Sequence, residues 1–122
     1  MPKPIQKAWE FDITQTIDFH GKRYSVHEAI RQIKILNLPV QEIRIDQVWM
    51  GYFAPCANTL RSFLEHLRMV NEADLSYPII FNQDMDLIDG KHRLCKAIYE
   101  GHETIKYYKF DKDPDSIYTE TK

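Results

Sequence analysis

Asp89-Gly90-Lys91-His92-Arg93 places a carboxylate, a glycine and three nitrogen-bearing side chains in consecutive positions. Those residue types suit a phosphate. Arg93 can take two phosphate oxygens at once, and Lys91 acts as a point charge. His92 can donate from either tautomer. The apolar Leu87-Ile88 before the group and the amphipathic run after it place it where a strand turns into a helix. The first N–H groups of such a helix have no partners inside it, and its dipole adds partial positive charge, so an anion is favoured there. Asp89 falls at the N-cap position, and Gly90 has no side chain to keep a ligand from the backbone. Acidic residues are the usual occupants of a first helical turn, yet here three basic ones crowd it. A local rule broken in this way often marks a functional site. The plainer alternative is punctuation: an Asp-Gly helix start followed by solvated basic side chains.

Other constellations carry less chemistry. His27-Glu28 opens like a zinc-binding H-E-x-x-H, but Arg31 stands in the second ligand's place. Glu28 instead completes a capping box with Ser25. His20, His66 and His102 are scattered and read as surface or turn histidines. Cys56 follows Pro55 in a loop without a basic run beside it, and Cys95 reads as helix packing. Trp49, Tyr52 and Phe53 could fill a core or form a stacking wall for a base. Glu42, Asp46 and Glu65 are the candidate acids if phosphoryl chemistry occurs. Asp84 and Asp86 read as turn formers.

The elements that must hold the group follow from periodicity. Residues 11–26 alternate around a turn at His20-Gly21-Lys22, predicting a β-hairpin. Val26, Ala29, Ile30 and Ile33 recur at helical spacing until Asn37 and Pro39 stop the helix. A strand is expected over residues 40–49. A helix capped by Asn58 or Thr59 follows, its stripe of Leu60, Phe63, Leu64, Leu67 and Val70 facing the core. "YPIIF" and "LID" are short strands around the turn "NQDMD". A helix runs from about Gly90 to Glu100, with Gly101 as its C-terminal glycine. "TIKYYKF" closes as a strand. The expected class is α+β, a small mixed β-sheet with three helices.

The bulk numbers agree. A chain of 122 residues with 43% hydrophobic and 28% charged residues suits one globular core. A net charge of −2 argues against holding nucleic acid by bulk charge. The two cysteines imply no disulfide framework, which points to a reducing, cytoplasmic setting. No signal peptide or membrane-crossing run is apparent. The Pro-interrupted polar tail from residue 111 is expected to fray.

Taken together, "YPIIF", a turn, and "LIDGKHRLCKAIYEGHETIKYYKF" resemble the ParB/sulfiredoxin superfamily and its ParB-like N-terminal domains, in which the strand before the helix ends in D-G-x-H-R or a G-x-R-R or G-C-H-R variant. Asp89, Gly90, His92, Arg93, Ala97 and Gly101 match its pattern. The resemblance covers roughly residues 40–110. It divides the chain into an N-terminal hairpin and helix extension (1–38), a core (39–110) and a flexible tail (111–122). It implies a nucleotide-phosphate-binding domain taking ATP or CTP with Mg²⁺, with Gly90, Lys91, His92 and Arg93 on the phosphates. Asp89 would cap the turn or hold Mg²⁺. If the domain is an ATP- or CTP-dependent hydrolase or phosphotransferase, Asp89 and His92 are its catalytic candidates. The alternatives are an accessory module that binds DNA or a protein partner, or a metal-dependent nuclease. Sulfiredoxin keeps its reactive cysteine where this chain has Lys91, so peroxiredoxin repair is not implied. The chain is too short to carry the DNA-reading and dimerisation parts of a ParB clamp.

Overall fold

The computed structural model describes residues 15–48 and 59–121. Trp49, Tyr52, Phe53, Cys56 and Asn58 lie outside the described residues. Strands β1 (Thr16–Phe19) and β2 (Lys22–Ser25) form the expected hairpin, with Phe19 opposite Lys22. His20 at φ 51° and Gly21 at φ 79° make the two-residue turn that matches strand twist. Helix α1 (Val26–Leu36) starts on Ser25, whose hydroxyl accepts from the Glu28 N–H at 3.1 Å. It stops on Asn37, which takes the left-handed conformation. The Glu28 side chain does not close the capping box. It accepts from Arg31 and Gln32, and is also bonded by Ser116. These donors, Arg31 foremost, hold its carboxyl down at about 2. Stability is therefore expected to fall as pH drops from the ordinary 4.5 towards about 2. Glu28→Gln should flatten that part of an acid-unfolding profile, and an unchanged profile would remove Glu28 as its source.

Strand β3 (Gln41–Arg44) is shorter than the expected strand. Apolar positions 43 and 45 are two apart, but the next, Val48, is three further on. The chain turns through a 3₁₀ segment (Ile45–Gln47) that buries both Ile45 and Val48. Helix α2 (Leu60–Glu72) begins on Thr59, whose hydroxyl accepts from the Ser62 N–H at 3.0 Å. Strands β4 (Ile79–Phe81) and β5 (Leu87–Asp89) flank the turn. Helix α3 (Lys91–Tyr99) and strand β6 (Thr104–Lys109) follow.

The described residues thus form an α+β domain with three α-helices and two sheets rather than one. One sheet has the order β3-β6-β4-β5, with β6 parallel to β4 and the other pairs antiparallel. The second contains the hairpin and β7 (Tyr118–Glu120) in the order β1-β2-β7. The tail expected to fray is therefore built in over its described residues. Ile117 is fully buried, and the Thr121 N–H donates to Gly21 at 2.8 Å. Asp113, also buried, accepts from the Tyr24 hydroxyl at 2.9 Å and the Gln83 N–H at 2.8 Å. Burial foremost, then this carboxylate, pushes the Tyr24 phenol up to about 12.

Two cores lie on opposite sides of β4. Ile80 joins Tyr24, Val26, Ala29, Ile33, Ile88, Phe110 and Ile117 in one. Ile79 and Phe81 join Ile45, Val48, Leu94, Ala97 and Ile105 in the other. Alternate residues of a strand point to opposite faces, so a strand covered on both reads as an unbroken apolar run. The hairpin and α1 thus share a core with β4 and β5.

Helix α2 departs most from expectation. Its stripe does not face the core: Leu60 is 74%, Phe63 54%, Leu64 51% and Leu67 44% exposed. The half-buried residues are Ser62, His66 and Val70, four apart along one edge of that stripe, to which Val70 itself belongs. A periodic apolar stripe establishes that a helix has such a face, not which face meets the domain. No helix among the described residues is long and apolar enough to cross a membrane.

Candidate functional site

Strand β5 delivers Asp89 to the edge of the four-stranded sheet, and α3 begins two residues later. Between them stands Gly90, at φ 109°, and it rather than Asp89 is the N-cap residue. No side chain caps the helix. The reading of Asp89 as an N-cap is corrected by its own partners. Its carboxylate accepts from the Arg93 guanidinium at 2.7 Å, with a further bond from the Gly90 backbone. It sits one helical turn from Arg93, and the pair forms a buried ion bridge with side chains 9% and 3% exposed.

Arg93, expected as a bidentate phosphate ligand, is engaged within the protein. Its guanidinium turns inward, donating to the Pro78 carbonyl at 2.7 Å and the Tyr77 carbonyl at 3.2 Å as well as to Asp89. Burial pushes the Asp89 carboxyl up, against the pull of Arg93, and pushes the Arg93 guanidinium down, against the pull of Asp89. Arg93 thereby ties the start of α3 to the entry of β4. The Asp89 carboxylate, expected as a Mg²⁺ ligand, is bonded by Arg93 and Gly90. No group of three or more metal-binding side chains occurs among the described residues.

Gly90 owes its identity to a protein neighbour. A Cβ there would lie 2.5 Å from the Ile79 Cγ2 atom and 2.8 Å from its Cβ. The missing side chain admits strand β4, where a ligand was expected. At the mouth of the helix stand Lys91 and His92, each half-buried in the first turn, with no acidic residue in that turn.

A third side chain joins them. The Nδ1 of His66 on α2 lies 3.3 Å from the Nε2 of His92, and the two rings stack at 5.5 Å with an interplanar angle of 28°. Read from the sequence, His66 was a scattered surface residue. Its signal was the four-residue spacing of Ser62, His66 and Val70, a row along the edge of the apolar stripe of α2. Lys96 reinforces the seat, donating to the Asn71 carbonyl at 2.9 Å and the Ala73 carbonyl at 2.8 Å near the end of α2. Burial foremost, then Lys91, His66 and Arg93, pushes the His92 imidazole below its ordinary range. Lys91 and Arg93 thus bring positive charge to the surroundings of His92.

The other candidates lie apart from this cluster in their bonding. Glu42 on β3 accepts from Thr104, and Asp46 pairs with Arg44. Glu65 is exposed on α2. His20 is near Asp86, and His102 near Glu100. Cys95 is half-buried, and burial raises its thiol, which suits packing rather than nucleophilic attack. Asp84 and Asp86 lie in the turn after β4, where both their N–H groups donate to the Asn82 side chain. No family model, curated protein or solved structure matches the chain.

Proposed function

We propose that the protein binds the phosphates of a nucleotide at the start of α3, in the manner of the ParB/sulfiredoxin-like domains it resembles. The observation that carries the reading is the convergence of Lys91, His92 and His66 at a helix N-terminus whose first turn holds no acid. Cationic side chains raise the electrostatic energy of that end of a helix, and a bound anion lowers it. Lys91 supplies charge, His92 a directed donor, and the first-turn backbone the dipole. Arg93 and Asp89 build the turn without touching the ligand. Mg²⁺ enters as the counter-ion of the nucleotide, since the Asp89 carboxylate is already engaged.

Calorimetric titration with ATP and CTP, each with Mg²⁺, tests this reading. Lys91→Ala and His92→Ala should each weaken binding by about 1.5–3 kcal/mol, the value of a hydrogen bond to a charged group. That is roughly tenfold or more in affinity. Absence of binding at millimolar nucleotide, or binding by both variants as tight as the parent's, would overturn it. ATP or CTP turnover in the same samples then decides whether the domain is a hydrolase.

A further inference from the structure

His66 and His92 stand on helices separated by the β4–β5 hairpin, yet a nitrogen of each ring lies 3.3 Å from the other. At that separation one nitrogen donates and the other accepts. In a neutral pair either ring can be the donor. When His92 is an imidazolium, both its nitrogens carry protons. Nε2–H then donates to His66 Nδ1, and Nδ1–H remains as a donor for another acceptor.

Several charged and titratable groups surround the pair. Lys91 and Arg93, on the same helix as His92, oppose its charging, and Cys95 lies one turn further along. Asp89 at the end of β5 is bound to Arg93. Asp74, in the segment after α2, also acts on Arg93. From α2 itself, His66 faces the ring. Burial foremost, then these charges, disfavours the charged form of His92, and an arriving anion opposes that bias.

We propose that His66 and His92 form a proton-coupled phosphate-binding pair: His92 takes one proton from solvent as the anion binds, and His66 accepts the hydrogen bond of the charged ring. The proposal rests on the phosphate reading above and deepens it. His66 is a positioning residue, acting on the ligand through His92. Affinity rises as pH falls through and below the ordinary histidine range, then levels off once His92 is charged without ligand.

The test follows the His92 ring by NMR across pH in the full chain, with and without saturating sulfate. Sulfate is a tetrahedral dianion that does not itself titrate near neutrality. Without sulfate His92 should titrate below the ordinary 6.5. Sulfate should raise that midpoint by about one pH unit, equivalent to tenfold tighter binding to the charged ring. His66→Phe, which removes the acceptor, should shrink the rise, and His66→Asn, which keeps an oxygen near the Nδ1 position, should restore most of it. Amide spectra report whether each variant is folded. If sulfate or Mg-ATP perturbs Lys91 and His92 but the midpoint stays, or the rise survives intact in His66→Phe, the coupling is overturned and the binding site stands. If neither ligand perturbs them, site and coupling fall together.

Discussion

Arg93→Ala is expected to lower the unfolding free energy by about 3–5 kcal/mol, the usual cost of stranding one member of a buried ion pair. The substitution leaves the Asp89 carboxylate buried without its counter-charge. It also takes a donor from the Tyr77 and Pro78 carbonyls. Urea unfolding measures the loss. The double variant Arg93→Met with Asp89→Leu should recover much of it, because both charges leave together and apolar groups replace them. An Arg93→Ala protein as stable as the parent would contradict a structural role for this residue. Lost phosphate binding in Arg93→Ala would not identify a ligand contact, since the turn itself would be disturbed. Lys91 and His92 are the informative positions.

Gly90→Ala should cost about 2–5 kcal/mol, combining backbone strain with overpacking. The backbone at φ 109° disfavours any L side chain, and the new methyl would meet Ile79, which is fully buried. Ile79 lies in a strand covered on both faces and has nowhere to retreat. Gly21→Ala separates the two contributions. Its φ is 79° with open space around the added carbon, so it carries strain alone, about 1 kcal/mol. Equal losses at the two glycines would show that Ile79 yields easily.

The features legible in the sequence are local ones. The hairpin turn at His20-Gly21, the Ser25 and Thr59 caps and the Asn37 stop each depend on a few neighbouring residues, and each is present. Long-range choices were not legible. Ile117 and Tyr118 sit in a polar, Pro-interrupted stretch, and only their meeting with Tyr24 makes a core position and a third strand of them. The strand-to-helix junction of the site was readable from Leu87 to Arg93, but the direction of Arg93 was not. It stands four positions after Asp89, a spacing that permits pairing, while the carbonyls that draw it inward belong to Tyr77 and Pro78. His66 was hidden by the stronger apolar pattern of its own helix.

The position of β4 also shapes how the molecule opens. Ile79 and Phe81 serve one core while Ile80 serves the other, so neither can melt while the strand keeps its place. The two cores thereby form one cooperative unit, and the amides of β4 should be among the last to exchange with solvent. Arg93 grips the backbone at the entrance to that strand. The mouth of α3 is thus anchored to the most persistent part of the chain, while α2, with no buried residue of its own, can separate at far lower free energy.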